Sequence, residues 1–254
     1  MTLTRQSALD SDRMAAVWLS LGSALAVAAV TWQPLAPGVE RLRVLDDGVD
    51  AELLRFDLTR FRPEVVVLGA DRPRTAAALR EETGAAAAVN GGFFDEEWRP
   101  LGLRIMGGKM VIGLRPRVDW GVLVLSGAHA RIVHSRDFHA DPAIEQAIQV
   151  GPRLLVDGQP LRLKPQAARR TAVALDREGR SLTLVATYVP TDAQRLAELL
   201  ARLGFDSALM FDGGPSSQLS AELGGLHLDL RGGYAVPDAL VVRPRPTHAA
   251  TPRP

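Results

Sequence analysis

The chain has 254 residues, 46% of them hydrophobic and 23% charged, with a formal net charge of +1 at pH 7. That is the balance of a soluble globular chain with enough apolar material for one sizeable core. The near-neutral charge excludes the basic footprint of a nucleic-acid binder, and the absence of cysteine excludes disulfides, a thiol nucleophile and a thiolate metal site.

In chain order, the first segment stands apart. After Arg5 and Arg13, residues 14–30 carry no charge. A basic lead followed by an apolar run reads as an export signal, with Ala26-Val27-Ala28 as the small-x-small site for cleavage near Ala28 or Ala29. Uncleaved, the run is long enough for a single-span anchor, which gives membrane attachment through residues 14–32. Asp10 and Asp12 dilute the basic lead, and the alternative is a buried N-terminal helix. Residues 1–32 are therefore assigned to a signal peptide or anchor, which places the rest of the chain in the periplasm or outside the cell.

Residues 39–243 read as one domain without internal repeats. Alternation at 39–45 and 51–58 suits half-buried strands around the turn Asp46-Asp47-Gly48. Residues 64–68 form a buried-strand run. A helix is expected over 73–83, with Asp71 as its cap and Gly84 as its stop, and a strand over 85–89. Segments 101–106, 109–112, 120–125 and 130–134 read as a meander with a hairpin turn at Gly107-Gly108, and 141–148 as a short helix. Strands 171–175 and 181–187 flank a hairpin at 176–179. The clearest helix spans 192–203, with Thr191 and Gln194 as a capping box, Leu196, Leu199, Leu200 and Leu203 as its apolar face, and Gly204 as its end. Strands at 208–211 and 237–242 follow, and 244–254 is a Pro-rich tail expected to be disordered. The fold class is α+β: a mixed, mostly antiparallel sheet with flanking helices in a single domain.

Two stretches share one design. Asn90-Gly91-Gly92-Phe93-Phe94 and Asp212-Gly213-Gly214-Pro215-Ser216 each follow an apolar strand, and each places a polar side chain before two glycines. Glycines there let the backbone turn sharply and approach a ligand closely. Two such turns suggest two loops converging on one pocket, since scaffolds carry chemistry on loops at strand ends. A simple Asp-Gly hairpin turn is the alternative for Asp212-Gly213.

These turns occur in order with Gly151-Pro152-Arg153-Leu154-Leu155-Val156-Asp157-Gly158 and Arg170-Thr171-Ala172-Val173-Ala174-Leu175-Asp176. The set resembles the phosphodiester glycosidase family over residues 60–243. Two positions depart from the family pattern: Pro215 stands where a third glycine is usual, and Ala174 stands where another glycine is usual. The resemblance implies hydrolysis of a sugar-1-phosphodiester from a sugar-phosphate or polysaccharide substrate, with no cofactor. It makes Asp212 the general base or nucleophile, Arg170 the phosphate ligand through its bidentate fork, and Asn90 and Ser216 hydrogen-bonding partners of the sugar. Gly91, Gly92, Phe93, Gly213 and Gly214 complete the expected substrate contacts. Asp95, Glu96 and Glu97 offer a second carboxylate or simply a solvated loop. The five histidines lack metal-ligand spacing; His134 and His139, five apart, are the nearest to it. Two rival functions remain: a carbohydrate-binding protein without turnover, and a serine esterase using Ser216.

Overall fold

The computed structural model describes residues 31–246, so the expected export segment lies outside the described residues except for its last two positions. One of these, Trp32, packs edge-on against Phe205 and lies under the Arg55 guanidinium.

Three large sheets surround a central core, with a two-stranded sheet of Ala167–Ala168 and Thr191–Asp192 beside them. The large sheet has eight strands in the order Gln33–Ala36, Val39–Asp46, Val49–Asp57, Ser181–Thr187, Thr171–Leu175, Ser207–Met210, Arg153–Val156 and Gln159–Pro160. A five-stranded sheet runs Lys109–Ile112, Arg104–Met106, Gln146–Val150, Gly121–Ser126, His129–His134. A second five-stranded sheet runs Leu226–Leu230, Leu219–Leu223, Ala87–Asn90, Asp238–Pro244, Phe61–Val67. Neighbouring strands pair antiparallel, so the sheets are not mixed.

Strand parity explains why so many segments read as continuous apolar runs. In Ser207–Met210 and the residue after it, Leu209 and Phe211 enter the central core with Phe56, Val89, Ile148 and Leu240, whereas Ala208 and Met210 enter a second core with Leu196 and Leu200. Side chains alternate across a strand, and here both faces are covered. Two α-helices occur among the described residues: α1 (Ala76–Thr83) and α2 (Ala193–Arg202). Helix α2 lays Leu196, Leu199 and Leu200 on the outer face of the large sheet, and α1 lays Ala76 and Leu79 on Ala88 and Val241 of the third sheet. Each fully buried leucine stabilises the fold by roughly 1.5–3 kcal/mol. The fold is thus β-dominated, with one helix on each of two sheets.

Several expected boundaries shift. Helix α1 starts after Thr75, whose hydroxyl accepts the Ala78 amide, and ends at Gly84 in the left-handed conformation. Helix α2 is capped by Asp192, which accepts the Gln194 amide; the Gln194 side chain reaches Leu163 N and Glu198 instead of closing a capping box. The expected helix at 141–148 is a turn at Asp141 followed by strand Gln146–Val150. Burial on both faces between two partner strands outweighs the local helical tendency. The hairpin Leu219–Leu223/Leu226–Leu230 was not anticipated. The expected tail begins as structure: Pro244 belongs to the last strand, and Arg245 donates to Leu58 O at 2.9 Å.

Candidate active site

The two glycine turns meet. Strand Ala87–Asn90 is central in the third sheet and Ser207–Met210 is interior to the large sheet, so the turns that follow them come from two sheets sharing one core. Asp212 N donates to Gly91 O at 3.2 Å, and Asn90 Nδ2 donates to Asp212 O at 2.9 Å. Asn90 Oδ1 accepts the Gln218 amide. Asn90 is 0% exposed with both amide atoms bonded to backbone, so it fastens the loops together and does not present its amide to a sugar.

Asp212 is half-buried. Its Oδ1 accepts Gly213 N at 2.9 Å, and its Oδ2 accepts the Ser216 hydroxyl at 2.5 Å. Burial pushes the Asp212 carboxyl above its usual value, against these two hydrogen bonds, and the nearby Asp238 adds to the rise. The Tyr234 hydroxyl, 3.2 Å from Ser216 Oγ, extends the chain to a tyrosine that is 41% exposed. Phe94 stacks on Trp98 with centroids 5.0 Å apart, and Tyr234 stands edge-on to both. This gives the acid an aromatic flank of the kind that lines small-ligand pockets. Phe93 turns away from it, packing on Trp120 and against the core; Phe94 occupies the place expected for Phe93.

Trp98 is held in the left-handed region at φ 63°, a conformation that costs a non-glycine residue about 1–3 kcal/mol. Asp95 supplies the restraint: it accepts the amides of Glu97 and Arg99 and pairs with the Arg99 side chain, and its carbonyl accepts Trp98 N. These bonds, the Arg99 amide first, hold the Asp95 carboxyl below its ordinary value. Asp95 therefore builds the loop, and with exposed Glu96 and Glu97 it forms the solvated-loop alternative and not a second catalytic carboxylate.

Pro215 sits inside the short 3₁₀ turn Gly214–Ser216, where a missing N–H is tolerated. Its carbonyl accepts Gly233 N at 2.7 Å and so anchors the loop that carries Tyr234. Gln218 ties the same region to α1: its Oε1 accepts the Ala76 amide, and its Nε2 donates to Ser216 O and Tyr234 O. The Ala174 methyl is accommodated in the core beneath α2.

Arg170 is 3% exposed. Its Nε donates to Thr191 O at 3.0 Å, its Nη2 to Gln166 O, and its Nη1 faces Met210 Sδ. None of these partners is charged, and burial pushes the guanidinium's pKa down. The nearby Asp192 carboxylate partly offsets that cost through its charge. Arg170 lies on the wall of a cavity of about 360 Å³ that also takes in Pro152, Arg153, Leu161, Lys164 and Met210. The cavity adjoins the Asp212 loop: a Cβ placed on Gly213 would stand 3.6 Å from Arg170 Nη1. Asn90, Arg170 and Asp212 are thus brought into one neighbourhood.

Gly91 and Gly92 have a use the sequence did not show. Beneath them Arg104 Nε donates to Asp238 Oδ2 at 2.5 Å, and both side chains are 0% exposed. Arg104 Nη1 also donates to the carbonyls of Leu101, Leu103 and Gln149. A Cβ on Gly91 would stand 2.5 Å from Asp238 Cγ, and one on Gly92 would stand 3.3 Å from Arg104 Cζ. The glycines let backbone lie directly on a buried ion pair, and the pair supports the turn from below. The available signal was two charges, Arg104 and Asp238, each opening a strand whose next residues are apolar.

His134 binds Asp119 through Nε2 at 2.8 Å and accepts Arg136 N at Nδ1, so both ring nitrogens are engaged. The hydrogen-bonding partners of Ser216 Oγ are Asp212 and Tyr234, with no histidine among them, so the base of a serine esterase is not assembled there. A cavity of about 900 Å³ between residues 34–40, Arg55, Asp176 and Arg180 contains none of the site residues.

The antiparallel fold thus brings an acid, a hydroxyl and a buried arginine close together where two of its large sheets meet. The chain belongs to the phosphodiester glycosidase family, whose sequence profile matches residues 83–243. It is 28% identical over 153 residues to the uncharacterized protein YigE of Escherichia coli K12, covering 54% of this chain and 59% of that protein. Its fold is similar to the zebrafish N-acetylglucosamine-1-phosphodiester α-N-acetylglucosaminidase catalytic domain auto-inhibited by its pro-peptide, at TM-score 0.63 and 19% identity, covering 84% of this chain and 86% of that one. A hypothetical protein from Synechocystis gives TM-score 0.61 at 17% identity, covering 85% and 64%. A protein of Burkholderia pseudomallei K96243 gives 0.57 at 15%, covering 81% and 74%. The chain spans less than two thirds of the length of the Escherichia coli and Synechocystis relatives.

Proposed function

We propose that the protein is an exported glycoside hydrolase that cleaves sugar-1-phosphodiesters of the N-acetylglucosamine-1-phosphodiester type in envelope or extracellular polysaccharide. The observation that carries this reading is the junction of the two glycine loops, which sets the half-buried Asp212 carboxylate on a loop that adjoins Arg170, a buried guanidinium on the wall of a cavity. The zebrafish enzyme of similar fold is named for this chemistry. The family membership supports the reaction class, and the uncharged run at 14–30 supports export, with residues 14–32 as signal or anchor.

In this reading the phosphodiester sits against Arg170 and the sugar against Phe94, Trp98 and Tyr234. Phosphate is a good leaving group, so the bond to the sugar breaks with little help from a general acid. The remaining demand is charge: an oxocarbenium-like sugar is stabilised by the ionised Asp212, which acts as base toward water or as nucleophile. Ser216 holds the orientation of Asp212, and Tyr234 holds Ser216.

The test is release of free N-acetylglucosamine from its 1-(methyl phosphate) diester by purified protein. Asp212→Ala is expected to lower kcat by about 10²-fold or more, and Arg170→Ala to raise KM. Undiminished turnover in a folded Asp212→Ala protein would remove the assignment. Sugar binding by the wild type without turnover would favour a carbohydrate-binding protein.

A further inference from the structure

Beyond Arg170 the cavity continues over Arg153, Arg162 and Lys164. Its one carboxylate, Asp119, is bound to His134 and held below its usual value by that bond. Arg162 and Lys164 have no ion pair among the described residues, and Arg153 meets Asp119 only through the longer reach of its charge, whereas cations elsewhere are paired, as in Arg41–Glu52, Arg55–Glu40 and Arg202–Asp46. The surplus is local, since the whole chain is nearly neutral.

The segment that carries these charges is held down along its length. Leu161 N donates to Leu154 O, Leu163 N to Gln194 Oε1, and Gln166 N to Asp192 Oδ2. Leu163 packs against the core under α2, while Arg162 and Lys164 are exposed. The charges are therefore presented at the cavity by an anchored strip of backbone. A cavity of about 360 Å³ also lies within the size range of small-ligand pockets, and its four cations set against Asp119 and the nearby Asp192 leave a surplus of two, more than the single charge of one phosphodiester would match.

We propose that Arg162 and Lys164, with Arg153, form a subsite for a second phosphate on the leaving group, so that the preferred substrate is a sugar 1-diphosphate ester or a similarly doubly phosphorylated chain. This rests on the reading that the Asp212 site cleaves a sugar-1-phosphodiester. Arg170 takes the phosphate attached to the sugar, and the outer cations take the next one.

The experiment compares N-acetylglucosamine 1-(methyl phosphate) with the matched 1-(methyl diphosphate), at one ionic strength, for wild type and the Arg162→Ala/Lys164→Ala double variant. The wild type is expected to favour the diphosphate by about tenfold or more in kcat/KM, the scale of one charge-assisted hydrogen bond. The variant should lose that preference through KM and keep wild-type kinetics on the monophosphate. Equal kcat/KM for the two substrates in the wild type, or an equal loss on both in the variant, overturns the subsite. If the wild type cleaves neither substrate, the hydrolase reading fails and the subsite is decided by calorimetry with inorganic pyrophosphate. Binding that weakens about tenfold in the variant sustains it; no binding, or binding the variant leaves unchanged, overturns it. Both positions are exposed, so substitution is expected to leave the fold within about 0.5 kcal/mol of wild type, which circular dichroism checks.

Discussion

Replacing Gly91 with alanine isolates the contribution of the buried Arg104–Asp238 pair. Gly91 is not in the left-handed region, so its backbone accepts a side chain and the effect is steric. The new methyl would stand 2.5 Å from Asp238 Cγ and 2.8 Å from Oδ2, about 1 Å inside ordinary contact. Asp238 cannot swing aside cheaply, because its carboxylate is fixed by Arg104 and neither side chain reaches solvent. Moving it leaves the guanidinium uncompensated, and breaking such a pair costs about 3–5 kcal/mol. For a domain of this size that lowers Tm by roughly 6–20 °C. Urea denaturation of Gly91→Ala, Asp238→Ala and the double variant measures the coupling. Removing the carboxylate makes room for the methyl, so the double variant should lose at least about 1 kcal/mol less than the two single losses added. A Gly91→Ala protein within about 1 kcal/mol of wild type, or strictly additive losses, would refute the account of why glycine stands there.

Asp212→Asn should stabilise the protein at neutral pH. Burial raises the folded-state pKa of Asp212 above its unfolded value near 3.9, so the native state binds the proton more tightly. That contribution is present below the unfolded value and is lost as pH rises through the folded one. The variant's advantage in Tm should therefore be largest near pH 7 and shrink towards pH 4; an Asn variant less stable at pH 7 would contradict it. Tyr188, half-buried and donating to Glu52 at 2.9 Å, is pushed up to about 12 by burial, so absorbance titration should show a late phenolate phase that Tyr188→Phe removes. Leu200→Ala, at a fully buried position on the inner face of α2, should cost about 2–5 kcal/mol in urea denaturation; a loss below 1 kcal/mol would mean α2 contributes little to that core.

The order of most elements, the boundaries of α2 to within a residue and the two Asx-Gly-Gly turns were legible in the sequence, because they rest on local chemistry: hydrophobic period, caps and glycine's freedom. Four motifs in order were also enough to place the chain in its family. Pairing was not legible. Segment 141–148 is a turn and a strand because Ala147 and Ile148 are sandwiched by strands contributed from 104–106 and 121–126, and no local preference encodes those partners. The roles within the site were divided by tertiary contact as well. Asn90 and Asp212 sit in similar turns, but the fold buries the amide against backbone and leaves the acid half-open beside Ser216 and Tyr234. Residue type determined what each side chain could do. Its distance from groups 100 or more positions away, set by the packing of three sheets on one core, decided which of those things it does.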